Sequence, residues 1–446
     1  MAKPCEGLKV LVVGAGFAGL TAAIECRKRG ASVTIFESNK TRRQLGDIIS
    51  FGSNSGRIFR SWPGVEEQLD PLCHHSDGID FRAYDDEFLI RQTWDAEADW
   101  GKKFNGHRGE VHEIVWNHAL SVGVEIRLSS KVQEYFEDDD KAGVVVNGEK
   151  ITGDVVLAGD GVRSTARTIV LGFEDKPKSS GYAVYRSWMG TEELKKNPLT
   201  AFLADPTYDH HVGWLGPDVH FLVATLQKGT ACSWVLTHRV CVHSRTLNGA
   251  GTDNKQDEAD VEESWSAPGY VEEAVKSVEN WAPVVHAIIR ATPEDRLVDW
   301  KLVFRDPLPT WISPKRRITL MGDAAHPFLP TSIQGASQSM EDGVTAAICL
   351  ELAGKGENGW NVPEAIRAYE KIRYPRVLAT QRTGVTNRDN WHKADFDQVK
   401  KNPESVKIAR QDWVLNFDCS QHAYDVYAET VESLKQNPDW KPDPTL

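Results

Sequence analysis

The first apolar run of the chain, Leu8–Val13, holds one Lys and three Val, the pattern of a strand buried on both faces. Gly14-Ala15-Gly16-Phe17-Ala18-Gly19 follows. A helical apolar period then covers Leu20–Arg29, stops at Gly30, and gives way to a second apolar run, Ser32–Phe36, closed by Glu37. This order predicts a βαβ unit. A related strand–turn–helix order occurs twice more. Asp154–Leu157 runs into Gly159-Asp160-Gly161, Arg163 and a helix. Ile318–Met321 runs into Gly322-Asp323, an extended stretch held by Pro327 and Pro330, and a helix from about Gly335 to Ala353.

Between these last two signals the hydrophobic period changes to two. "GYAVYRSWMG" (181–190), "DHHVGWLGP" (209–217), "VHFLVATLQ" (219–227) and "CSWVLTHRV" (232–240) read as short strands of an antiparallel sheet, joined by a hairpin at 81–93. Residues 246–260 read as a mobile acidic loop and 267–292 as two helices. A helix is expected over 363–384, with i,i+3 pairs Glu364–Arg367 and Glu370–Arg373. Residues 386–446 are expected to add short helices that pack on the outside of the fold.

The first turn carries the clearest chemistry. Gly14 permits the tight turn, Gly16 lets the backbone approach a pyrophosphate at the helix N-terminus, and Gly19 lets helix and strand pack closely. Glu37 lies 23 residues after Gly14, where an acid can bind both ribose hydroxyls. An acid there favours an unphosphorylated adenosine ribose, FAD or NAD rather than NADP. The third turn differs: it delivers the Asp323 carboxylate and a helix N-terminus to one place, not a second pyrophosphate cradle.

Composition narrows the classes. A chain of 446 residues can hold two or three domains, and its net charge of -12 argues against a nucleic-acid partner. The seven Cys are scattered without a CxxC pair, which suits reduced thiols and not a disulfide framework or structural metal. No signal peptide and no membrane span are seen, so a cytoplasmic protein is expected. Tyr182, Tyr185, Arg186, Trp188, His211, Trp214, Phe221 and Trp234 lie in the period-two region and together suit a flat aromatic ligand.

The three motifs "GAGFAG", "GDG" and "GDAAH", in this order, resemble those of the single-component (group A) flavin monooxygenases built like p-hydroxybenzoate hydroxylase; the likeness spans about residues 8–385. The resemblance implies an α/β fold: a Rossmann-type FAD-binding domain interleaved with an antiparallel β-sheet substrate domain, and a helical C-terminus. The implied boundaries are FAD-binding parts at 1–75, 105–178 and 311–385, a substrate-domain hairpin at 76–104, the substrate domain at 179–310 and a C-terminal helical segment at 386–446.

It also implies residue roles. Gly14, Gly16 and Gly19 would hold the FAD pyrophosphate, Glu37 the ribose and Asp323 the ribityl chain. Arg108 would contact FAD, and Asp160 both FAD and the nicotinamide coenzyme. Gln334, Gly335, Ala336 and Ser337 would face the flavin pyrimidine, where the helix N-terminus would stabilise the anionic reduced ring. His326 is read as packing and not as a general base. With one dinucleotide fold only, NADPH or NADH would bind transiently.

The chain departs from the family at Ile333, where Gly is usual, at Ser337, where Asn is usual, and at Asp47, where a small residue is usual. A buried Asp47 would be costly unless paired; an exposed loop position is the alternative. Arg186 is expected to pair with Asp47 and act on the substrate, or else to form a structural salt bridge.

"GLTAAIECRKRGASVTIFE", "GDIISFGSNSGRIFRSW", "NHALSVGVEI" and "SSGYAVYRSWMGTEELKKNP" are further similar to fungal flavin monooxygenases that oxidise the indole of prenylated or peptide-derived alkaloids. That likeness implies oxygen transfer from a flavin C4a-hydroperoxide, formed with O2, to the indole C2–C3 bond. The product would be an epoxide that opens or rearranges to a spiro-oxindole, with Arg186 and Asp47 as catalytic residues. A phenol or salicylate-type hydroxylase and a redox-inactive FAD-binding protein stay open as alternatives. A flavin halogenase is disfavoured because its Trp-x-Trp-x-Ile-Pro segment is missing. Monomer and homodimer are both compatible.

Overall fold

In the computed structural model, which describes residues 3–42, 46–175, 177–239, 267–357 and 359–445, two sheets divide the chain. The first is five-stranded and parallel, in the order Ile318–Leu320, Val155–Ala158, Lys9–Val13, Ser32–Phe36, Glu125–Arg127. Four of its strands are short apolar runs buried on both faces, as parallel strands covered by helices must be, and the edge strand Glu125–Arg127 is largely exposed. The three strands that precede the Gly-rich or Asp-bearing turns are adjacent, so all three turns emerge at one edge. The turns interlock: Gly14 has φ +89, and a Cβ there would lie 2.5 Å from the Gly159 carbonyl oxygen.

The second sheet is eight-stranded, in the order Ala267–Pro268, Leu297–Phe304, Lys178–Gly190, Ala231–Arg239, Val219–Leu226, His211–Gly216, Gly78–Ala83, Phe88–Thr93. The hairpin read at 81–93 starts at Gly78 and joins this sheet through a parallel pairing with His211–Gly216; the other pairings are antiparallel. The two helices read at 267–292 are Val271–Lys276 and Pro283–Arg290, and they cover one face of the sheet. The acidic loop read at 246–260 lies outside the described residues.

Helix Gly335–Ala353 packs between helix Phe17–Lys28 and helix Val362–His392. The last helix is longer than the 363–384 read from sequence and crosses the expected boundary at 385/386. The expected pairs Glu364–Arg367 and Glu370–Arg373 do not form among the described residues. Arg373 faces inward, 1% exposed, and its Nη1 and Nε donate to Glu341 Oε2 (2.5 Å) and Asp342 Oδ1 (2.9 Å) on the neighbouring helix. Glu370 accepts instead from the Trp311 N–H (2.5 Å) and the Thr310 hydroxyl (2.7 Å). Arg367 donates to the Pro438 carbonyl, and Glu364 accepts from Tyr427. A helix this deeply buried must turn its charges to partners on other elements, where a buried charge needs them more than its surface neighbours do.

The network extends further. Arg376 donates to both oxygens of Glu341 (2.7 and 2.8 Å), and Asn54 Nδ2 donates to Glu341 Oε1 (2.6 Å) and Gln334 Oε1 (3.0 Å). Asp342 Oδ2 accepts from the Gly322 N–H (2.8 Å) and bonds His326 Nε2 (2.6 Å). Burial works to raise the pKa of Glu341 and Asp342; Arg376 and Arg373 at the first, and His326 and Arg373 at the second, outweigh it and leave both lowered. All six Cys among the described residues are buried and free.

Replacing Arg373 with Met keeps much of the volume but takes a charged partner from each of two buried carboxylates, leaving Glu341 with Arg376 and Asn54 and Asp342 with His326 and the Gly322 N–H. The expected outcome for Arg373→Met is a loss of about 3–5 kcal/mol of stability, read as a lowered urea midpoint of unfolding.

Candidate functional site

One cavity of about 1100 Å³ runs between the turn edge of the parallel sheet and the uncovered face of the large sheet. Of the sequence-predicted site residues, Gly16, Glu37, Asp47, Arg108, Asp160, Arg186, Asp323, Gln334, Gly335 and Ala336 all border it. Gly14 and Gly19 lie behind the wall, where they shape the first turn: a Cβ at Gly19 would sit 2.0 Å from the Gly14 carbonyl oxygen.

Two helices start at this cavity with no capping side chain and no acid in the first turn: Phe17–Lys28 behind Gly16, and Gly335–Ala353 behind Gln334. Helix N-termini carry partial positive charge and unsatisfied N–H groups, so two such ends facing one cavity fit a ligand with anionic or acceptor groups at both ends. A Cβ at Gly16 would meet nothing within 4 Å, so that side of the turn is open space.

Three carboxylates border the same cavity. Glu37 accepts from the Ala15 N–H (3.0 Å) and from the Asn39 N–H (2.8 Å) and Nδ2 (2.6 Å), which holds it at the end of its strand. Asp160 accepts from the Tyr135 hydroxyl at 2.9 Å, while its buried Oδ1 lacks a hydrogen-bond partner. Burial raises the Asp160 pKa, against the lowering effect of Ser164 and Tyr135. Burial likewise raises Asp323, against His326 and Arg108. His326 is locked to Asp342 and packs on Trp311 and Phe328, as its packing role anticipated.

Ile333 keeps the backbone shape that a glycine would favour. Its φ is +54 and ψ +24, a left-handed conformation that costs a β-branched residue about 1–2 kcal/mol. The Ile333 N–H bonds the Pro330 carbonyl (2.9 Å), and the side chain packs into the cluster of Ile79, Phe81 and Trp391. That packing holds the strained turn beside Gln334. Ser337, the other departure, accepts from the Gly52 N–H (3.2 Å) and bonds the Ser55 hydroxyl (2.8 Å).

On the opposite wall Arg186 and Asp47 meet: Nη1 and Oδ2 are 2.6 Å apart, with side chains 9% and 16% exposed. Asp47 is therefore neither buried alone nor on an exposed loop. It precedes strand Ile48–Phe51, and its carbonyl accepts from the Arg108 N–H at 2.9 Å, which ties this strand to helix Arg108–Ser121. The Arg186 guanidinium lies over the Trp300 ring, 4.9 Å from its centroid.

The aromatic lining differs from expectation. Of the eight residues proposed, Arg186 and His211 border the cavity. Tyr185, Trp214, Phe221 and Trp234 point the other way, into the core under helices Val271–Lys276 and Pro283–Arg290. Tyr182 rests on His392, and Trp188 on His107. Side chains alternate along a strand, so the cavity takes Val184, Arg186, His220, Leu222, Val235 and Thr237 instead. Period two was legible; which parity faced the ligand depended on where the helices docked.

The C-terminal segment also departs from its expected place outside the fold. Trp391, Ile408 and Arg410 border the cavity. Gln92, on the edge strand, exchanges hydrogen bonds with the Ile408 backbone (2.9 and 3.0 Å), and Arg410 grips both oxygens of Glu97 (2.6 and 2.7 Å). Trp94 lies under two cations, Lys103 Nζ at 4.3 Å and Arg410 at 5.2 Å from its centroid. Burial, reinforced by Arg410, lowers the Lys103 pKa to about 8. The only sequence signal for this wall was that the helical period of 363–384 continues past Gly384 to Trp391.

Residues 7–282 match the family described as FAD binding domain. The asperlicin C monooxygenase of Petromyces alliaceus is 35% identical over 444 residues, 98% of this chain and 92% of its own length. The FAD-dependent monooxygenase okaB of Penicillium ochrochloron is 31% identical over 447 residues, 97% and 93% of the two chains. The crystal structure of CtdE in complex with FAD and a substrate superposes with a TM-score of 0.86 at 33% identity, covering 96% of this chain and 100% of that one.

Proposed function

The chain belongs to the FAD-binding-domain family as an FAD-dependent monooxygenase of fungal secondary metabolism, and from that premise we propose that it uses NADPH or NADH and O2 to oxygenate an aromatic natural product, at the C2–C3 bond of an indole alkaloid. The observation that carries this reading is one cavity with two uncapped helix ends on one wall and the Arg186–Asp47 pair on the other. The site fits FAD: open space over Gly16 and the orphaned Asp160 oxygen are what a pyrophosphate-bearing ligand with hydroxyl groups would fill.

Gly14, Gly16 and Gly19 shape the cradle for the pyrophosphate. Glu37 receives the adenosine ribose, and Asp323 with Arg108 the ribityl chain. Asp160 serves FAD and the nicotinamide coenzyme. The N–H groups of Gly335 and Ala336, with Gln334, face the pyrimidine end, where the helix N-terminus favours negative charge. Bound FAD supplies hydride acceptance and oxygen transfer, which no side chain here can provide.

The protein's own groups do the rest. The large sheet, Trp300 and Trp391 hold a flat ring and keep water out. The planar guanidinium of Arg186 donates to the oxygen that gains negative charge as an indole epoxide opens. Asp47 aims that guanidinium and lowers the cost of burying it. Opening of the epoxide at this charge pair gives either the hydroxylated product or migration to a spiro-oxindole.

The test is a visible spectrum of the purified protein, followed by NADPH addition with and without an indole alkaloid. A yellow protein whose colour bleaches faster with the indole, giving a product heavier by one oxygen atom, is expected. A colourless protein refutes the FAD assignment, and a response to phenols alone replaces the substrate. Gly16→Val is expected to fold normally and lose FAD, checked by melting temperature and flavin content. Asp47→Ala and Arg186→Ala are expected to retain FAD but form product at least about tenfold more slowly per NADPH consumed. Full, tightly coupled turnover in either would remove it from the chemistry.

A further inference from the structure

His220, on strand Val219–Leu226, borders the same cavity beside Leu222 and Trp391 and is only 3% exposed. None of the roles above uses it. Its Nδ1 lies 2.6 Å from His392 Nε2, near the end of helix Val362–His392. Burial depresses both imidazoles, His220 well below its ordinary value and His392 to about 4, so both rings are neutral at neutral pH. Each neutral ring carries one proton, and the two nitrogens that face each other share one between them.

Only two arrangements exist. If His220 Nδ1 carries the shared proton, the His392 proton must sit on Nδ1, which is buried without a partner. That would leave an orphaned buried N–H. If His392 Nε2 carries it, His392 Nδ1 is a bare acceptor and the His220 proton sits on Nε2. Either arrangement leaves one N–H without a protein acceptor: the first seals it at His392 Nδ1, and the second places it on His220 beside the cavity, where a bound molecule can accept it, so the second is favoured. His220 Nε2–H then has no protein acceptor among the described residues.

We propose that His220 is a substrate-positioning residue whose Nε2–H donates a hydrogen bond to a carbonyl oxygen of the aromatic substrate, an amide or lactam, and that His392 fixes the tautomer that makes it a donor. The inference rests on the monooxygenase reading and adds a substrate class to it. A neutral donor set among Leu222 and Trp391 suits a neutral carbonyl; a carboxylate would lose more on desolvation than one neutral N–H returns. The dyad also explains why the helix runs on to His392, since ending it near 384 would leave His220 without its partner.

Two measurements test this. In protein labelled with 15N at histidine, the ring spectra are expected to show both Nε2 atoms protonated and both Nδ1 atoms bare. A proton on His220 Nδ1, or a charged ring in the dyad at neutral pH, overturns the proposal without touching the FAD assignment, which flavin content reports separately. The second is calorimetric binding to the FAD-loaded protein of two probes: cyclo-(tryptophyl-alanyl) diketopiperazine, which carries amide carbonyls, and 3-ethylindole, which has the ring and no carbonyl.

His220→Phe is expected to weaken the diketopiperazine about five- to tenfold and 3-ethylindole by less than about twofold, while His220→Gln, which keeps an amide donor at similar reach, recovers the affinity. Equal losses for both probes, no loss for either, or no binding of the diketopiperazine by the unaltered protein overturns it.

Discussion

The buried ion-pair network around Arg373 joins the turn that carries Asp323, the start of helix Gly335–Ala353 and Asn54. One guanidinium holds Glu341 and Asp342 on the neighbouring helix. Through Asp342 it fixes Gly322 and His326 in the turn that carries Asp323, and through Glu341 and Asn54 it fixes Gln334. The helix start at Gly335 and the Asp323 carboxylate thus have set positions because a charge pair sealed from water tolerates little movement without losing its compensation. The strained Ile333 turn, pinned by packing on Trp391, adds a second restraint on the same segment. Two unfavourable local choices, buried charge and a left-handed β-branched residue, are held by the surrounding packing, as strain at functional sites generally is.

Across the cavity the logic changes from charge to alternation. The central strands of the large sheet give one set of side chains to a dry core under two helices and the other to the cavity. The core set holds Tyr185, Trp214, Phe221 and Trp234, and the cavity set is partly polar, with Arg186, His220 and Thr237 among branched aliphatics and Trp300. This division leaves room for a ligand and lets Arg186 reach Asp47 and stack on Trp300 without crowding.

Much of the site was legible because its residues are tied to local backbone shape. A strand, a Gly-rich turn and a helix in sequence place Gly16 at a helix start whatever the rest of the chain does, and Glu37 follows at the end of the next strand. Asp160 and Asp323 follow the same local rule. The pairing of Arg186 with Asp47 was open to inference because an acid that departs from its expected surroundings needs a cation. Illegible were the contacts made by residues far apart in sequence: Trp391, Ile408 and Arg410 against Gln92 and Glu97, His220 against His392, and Arg373 against a different helix from its own acids. Spacing along a helix predicts neighbours on that helix only, and buried charges chose partners elsewhere.

By itself the sequence determined the βαβ unit, the order of the three turns, the period-two region and the family, because each depends on short-range geometry or on motif order. Which face of the large sheet lines the cavity was set by long-range packing, since a one-residue change of parity exchanges the two faces and nothing in an alternating pattern marks the wet one. The tertiary structure also decided that the C-terminal segment closes the cavity, because that wall is built from contacts between residues hundreds of positions apart, which no local pattern encodes.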